Sequence, residues 1–185
     1  MTKKILFSIL IISFLSFSSE DKTVELSYPK NEAATIIMKT NLFDKFEKEW
    51  RGEDYYYLCE KGESKIICSV LFYKLNKDEQ KMMVDSFDPE GKTTSPIIPF
   101  TYFMNSNLAK YEKNFAKWGE PTDDFMFKQT DIPEFEGQKV NQKNMYAYCM
   151  FGKDLFVNIH LSKINCTKQD SIVMRKVLND LKKKK

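Results

Sequence analysis

The stretch Ile66-Ile67-Cys68-Ser69-Val70-Leu71-Phe72-Tyr73 decides the fold. Successive side chains of a strand point to opposite faces, and this run is apolar on both. Such a strand belongs in the interior of a sheet with layers packed on either side. Tyr55 to Glu60 reads as the preceding strand, and Gly62-Glu63-Ser64 supplies the turn between them. With a two-residue turn at Glu63-Ser64, residues whose numbers sum to 127 face one another, which sets Cys59 opposite Cys68.

Working outward, Lys22 to Tyr28 alternates Val24, Leu26 and Tyr28 against polar neighbours, the pattern of a half-buried strand, and Pro29 ends it. Ala34 to Thr40 reads as a second strand or the start of a short helix. Leu42, Phe43, Phe46 and Trp50 have helical spacing, but the segment reads equally as an irregular connection. After the first hairpin, Lys77 to Val84 reads as a helical turn and Phe87 to Pro99, with three prolines, as loop. Phe100, Phe103, Met104, Leu108, Tyr111, Phe115 and Trp118 form a helical stripe that Gly119 and Pro121 stop. Asp124 to Gln129 reads as strand and Asp131 to Gly137 as loop.

Asn144 to Phe151 and Asp154 to Lys163 make a second hairpin. A turn at Gly152-Lys153 places Cys149 opposite Phe156. In its second strand Leu155, Val157, Ile159 and Leu161 share one face, and Phe156, Asn158, His160 and Ser162 the other. Thr167-x-x-Asp170 has the capping-box spacing and opens a helix that turns Val173, Met174, Val177, Leu178 and Leu181 inward. The order of elements predicts one α+β domain over residues 19–185: a mainly antiparallel β-sheet with helices packed on it, closed by a short lysine tail, Lys182 to Lys185.

Residues 1–18 are expected to stand outside that fold. Lys3 and Lys4 precede an uncharged apolar run from Ile5 to Phe17, and Ser16 and Ser18 occupy the −3 and −1 positions of a cut after Ser18. This is the pattern of a secretory signal peptide, and the run falls short of the roughly 20 residues of a spanning helix. An uncleaved anchor is the alternative. The expected location is periplasmic or secreted, without stable membrane insertion after cleavage. Removing Lys3 and Lys4 lowers the formal net charge from +3 to +1, and discounting the four tail lysines leaves −3. A domain with no basic face, exported from the cell, is not expected to bind nucleic acid.

Export permits disulfides. Cys59 and Cys68 are read either as a cross-strand disulfide or as two buried thiols in adjacent strands, while Cys149 and Cys166 need the chain to turn back after Ser162 before they could meet. No Cys-x-x-Cys, G-x-S-x-G, P-loop or dinucleotide fingerprint occurs, and His160 is the sole histidine. No metal or cofactor is therefore expected, and His160 reads as a structural strand residue. Asp123, Asp124, Glu134 and Glu136 would have to converge in one cleft to serve an exported hydrolase. Trp50, Tyr55 and Tyr57 either present an aromatic surface to a ligand or partner or pack as core.

Tyr28-Pro29 at the end of the first strand, the run Leu155-Phe156-Val157-Asn158-Ile159-His160-Leu161-Ser162 and the helix from Asp170 to Leu181 give a layout that resembles PsbP-like proteins, although the family's usual Gly-Trp after the Tyr-Pro is missing. The resemblance implies an antiparallel sheet sandwiched by helices and a non-catalytic accessory or binding role. The expected function is that of an exported binding protein for an unidentified protein or small ligand. An exported hydrolase and a periplasmic inhibitor or immunity-type protein are the alternatives.

Overall fold

A computed structural model of the chain describes residues 21–43, 45–52, 54–61, 64–81, 115–116, 122 and 124–184. The expected signal peptide, the predicted loop over 87–99, most of the predicted helical stripe and Asp123 lie outside them. The described residues form a mostly antiparallel β structure with helices, an α+β fold. β1 (Lys22–Tyr28) and β2 (Asn31–Thr40) are an antiparallel pair. β3 (Glu47–Arg51), β4 (Asp54–Lys61) and β5 (Ile66–Lys74) follow as a meander. Residues 77–81 are helical (α1). β6 (Phe115–Ala116), β7 (Met126–Phe135), β8 (Gln138–Phe151) and β9 (Leu155–Lys163) come next, then α2 (Lys168–Asn179) and β10 (Lys182–Lys183). The large sheet has seven strands in the order β3-β4-β5-β9-β8-β7-β6, and β1, β2 and β10 form a separate three-stranded sheet.

β5 lies inside the large sheet, as its two-sided apolarity predicts. Ile66, Cys68, Val70 and Phe72 are buried on one face, while on the other Ser69, Leu71 and Tyr73 are half-buried and Ile67 is exposed. The first face carries the main core. Val157, Ile159 and Leu161 of β9 and Met145, Ala147 and Cys149 of β8 pack there with Leu26, Ile36 and Met38 from the small sheet and Met174, Val177 and Leu178 from α2. Both flat surfaces thereby lose their apolar area to each other, the dominant stabilising term of such a layered fold.

The register of the first hairpin is as the sequence predicts, with Tyr55 paired to Phe72 and Cys59 to Cys68. No disulfide forms between them, nor between Cys149 and Cys166: all four are buried thiols. The physical reason is the ladder itself. Directly opposed strand residues hold their Cβ atoms about 4.5–5.5 Å apart, whereas a disulfide draws them to about 3.8 Å.

Four further expectations are corrected. Glu47–Arg51 is a strand, because Trp50 and its neighbours pair with β4 and give it a partner on its outer side. Phe115 and Ala116, on the predicted helical stripe, pair instead with Thr130 and Gln129 along the outer edge of β7. The predicted loop over Asp131 to Gly137 is strand up to Phe135. Only Glu136 and Gly137 turn, both at positive φ (49° and 76°), the conformation a two-residue hairpin loop requires. Pro133 is accommodated at a register shift between Ile132 and Glu134, where no ladder bond is demanded of it. Finally, Phe151 pairs with Leu155, so three residues turn the second hairpin and Cys149 faces Val157, not Phe156.

The chain end is not a loose tail. The capping box at Thr167 and Asp170 is formed, with Asp170 N–H donating to Thr167 Oγ1 at 3.1 Å and Thr167 N–H to Asp170 Oδ2 at 2.9 Å. Beyond α2, Leu181 is buried and β10 pairs with β2. Lys184 N–H donates to the Thr35 carbonyl at 2.9 Å. Lys183 and Lys184 meet Asp124 and Glu25 at 3.1 and 2.7 Å.

Candidate functional site

The second face of the large sheet mixes polar and aromatic side chains. Two rows of register partners cross it. Ser69, His160, Tyr146 and Lys128 succeed one another on β5, β9, β8 and β7, and Ile67, Ser162, Asn144 and Thr130 form the adjacent row. The His160 ring stacks on Tyr146 with centroids 4.4 Å apart and planes 8° from parallel. Its Nε2 lies 3.0 Å from Asn144 Oδ1, and Gln142 Nε2 donates to that same oxygen at 3.1 Å. A carbonyl oxygen only accepts, so Nε2 carries the proton. Burial pushes the His160 pKa down to about 4, so the ring is neutral at pH 7 and its Nδ1 is unprotonated. Thr130 Oγ1 and Asn158 Oδ1 on the same face are buried without a hydrogen-bond partner among the described residues. Each such group opposes folding by about 1–3 kcal/mol.

This hydrogen-bonded line runs to a pocket. Lys65, Ile67, Gln142, Ser162, Lys163, Ile164 and Asn165 enclose about 370 Å³ at the end of β9 and β5. Its rim is fixed by an irregularity in β8. Asn141, at φ 42°, stands where the β7–β8 register shifts. The Val140 and Asn141 carbonyls accept from Asn165 N–H (2.9 Å) and Cys166 N–H (3.0 Å), and Asn141 Nδ2 donates to the Cys166 carbonyl at 3.1 Å. Asparagine tolerates the left-handed region better than other side chains of its size. The bulge thus pins the loop that carries both the pocket wall and the N-cap of α2. Lys163 Nζ is 2.7 Å from Asp170, whose carboxylate the capping and lysine bonds hold below its usual pKa.

The aromatic candidates are divided. Tyr57 is 4% exposed and its hydroxyl donates to the Ser27 carbonyl at 2.6 Å, so it is core. Trp50 is 45% exposed at the sheet edge, edge-on to Tyr28 at 6.2 Å with Lys30 Nζ 4.8 Å from its ring. Tyr55 is the register partner of Trp50 on β4. The described candidate carboxylates do not converge. Asp124 pairs with Lys183, whereas Glu134 and Glu136 are exposed at the tip of the β7–β8 hairpin, roughly 30 Å along the strand. Among the described residues no three of His, Cys, Asp and Glu gather as metal ligands, and no helix is long and apolar enough to cross a membrane.

Sequence reading singled out none of Lys65, Gln142 or Asn144, and marked Asn165 only as the start of the sequon Asn165-Cys166-Thr167. The available signal was Asn158, His160 and Ser162 on one face of β9 beside Gln142 and Asn144 on β8, a polar strip in strands that are otherwise core. No family model and no curated protein matches this chain.

Proposed function

We propose that the chain is an exported, non-catalytic accessory or binding protein that takes a small ligand in the pocket of about 370 Å³ beside Gln142 and Ser162. The observation that carries this reading is a pocket of ligand size with convergent polar groups, set on paired strands and braced by the His160–Asn144–Gln142 line. Export is supported by the signal pattern of residues 1–18. A PsbP-like sandwich belongs to the same proposal. Its support is the small sheet and α2 covering one face of a seven-stranded antiparallel sheet, and β1 ending at Tyr28-Pro29.

The test is recovery of the protein from the periplasm of an expressing bacterium, followed by thermal unfolding in the presence of the small-molecule fraction of a periplasmic extract. A saturable rise in Tm is expected, since a ligand that binds only the folded state stabilises it by mass action. Cytoplasmic retention, or a Tm unmoved by any fraction, would sink the proposal.

A further inference from the structure

The pocket's own groups specify more than size. Lys163 is matched by Asp170 at 2.7 Å, which leaves Lys65 as the lining cation that no described ion pair offsets. Gln142 Nε2 is committed to Asn144, which itself faces His160, so the amide orientation is fixed and Gln142 Oε1 accepts from no donor among the described residues. Asn165 and Ser162 make no side-chain hydrogen bond of their own among the described residues, while Ile67 and Ile164 are 38% and 57% exposed beside them. One positive charge, one oriented acceptor, two uncommitted polar groups and two aliphatic side chains converge on one small volume.

Resting on the binding reading above, we propose that this pocket binds a small aliphatic carboxylate bearing an N–H donor, the chemistry shared by an N-acyl amino acid and the carboxyl end of a short peptide. The carboxylate meets Lys65, the N–H donates to Gln142 Oε1, and the aliphatic part lies against Ile67 and Ile164. Lys65 at φ 51° and Asn165 at φ 53° each stand in a turn, one leading into β5 and one following β9.

The experiment titrates the full chain with N-acetylleucine, N-acetylleucinamide and the dipeptide Leu-Leu, followed by NMR of the Gln142 and Asn165 side-chain amides and the Ile67 and Ile164 methyls. Saturable shifts at these groups are expected, with the acid binding at least tenfold tighter than its carboxamide. Lys65→Gln, with an unchanged Tm, should abolish that ratio. Gln142→Leu should weaken the acid and its amide alike. The ranking of acetyl-leucine against Leu-Leu tells the two sources apart. Equal affinity for acid and amide, a ratio that survives in Lys65→Gln, or shifts confined to other residues would overturn the assignment. An extract ligand that raises Tm but leaves these signals unmoved overturns the pocket chemistry while the binding reading stands. Specific shifts with acetyl-leucine but an inert extract would support the pocket chemistry and overturn the expectation that the ligand is a periplasmic small molecule.

Discussion

Lowering the pH should destabilise this protein through one residue. His160 is held neutral in the folded state with a pKa of about 4, against the ordinary 6.5 it regains on unfolding. The cause is desolvation: the ring lies flat on Tyr146 inside the second face. The unfolded chain therefore binds a proton that the folded chain does not, wherever the pH lies between those two values. Stability is full above pH 6.5, falls as pH drops through the window from 6.5 to 4, and levels off below it. At about 1.4 kcal/mol per pH unit, the loss across the window is about 3 kcal/mol, a large share of the 5–15 kcal/mol that holds an average domain together. Urea unfolding at half-unit steps from pH 7.5 to 4.0 reads the slope directly. His160→Gln keeps an amide donor for Asn144 and should flatten the window. Asp170, held below its usual pKa by its bonds from Lys163 and Thr167, contributes stability that is lost only as the pH falls below the usual carboxylate range. A His160 ring proton that titrates near 6.5 by NMR, with no stability slope in wild type beyond that of His160→Gln, would refute the reasoning.

Three further outcomes follow from the fold. Thr167→Ala removes the hydroxyl that accepts from Asp170 N–H and should cost about 1 kcal/mol by urea unfolding, with α2 fraying first; an unchanged midpoint would contradict the cap. Alkylation of the purified, unreduced protein should add four labels in denaturant and almost none to Cys68 and Cys149 in the native state, because burial raises both thiols far above their usual pKa. Native labelling at the rate of a free peptide thiol would show that the core is open there. Deleting residues 182–185 removes β10, its backbone bond to Thr35 and the Lys183–Asp124 pair, and should lower stability by about 1–2 kcal/mol. Equal stability with and without the tail would mean that β10 is decoration.

Much of the scaffold was legible in the residues. β1 falls on Lys22–Tyr28 as its alternation predicts, and the first hairpin closes with Cys59 facing Cys68, because a tight turn leaves a strand pair one register. The faces of β9 and the inward stripe of α2 were likewise readable, since both rest on local periodicity. The errors share a cause. Glu47–Arg51 and Phe115–Ala116 became strand because a neighbouring edge offered backbone partners, and pairing of that kind overrides propensity. The second hairpin turn needed one more residue than predicted, which moved Cys149 from Phe156 to Val157.

The sequence by itself therefore determined the class of fold, the strand faces, the capped final helix and the scarcity of catalytic side chains, all matters of local spacing and residue type. Tertiary structure alone decided that the paired cysteines stay thiols, that the lysine end is a strand, and that Gln142, Asn144 and His160 line up behind a pocket walled by Lys65 and Asn165. Those residues come from two strands and two turns, and the bulge at Asn141 that joins them is a long-range hydrogen-bonding choice. Periodicity records which face a side chain takes; only the packed sheet records what stands beside it.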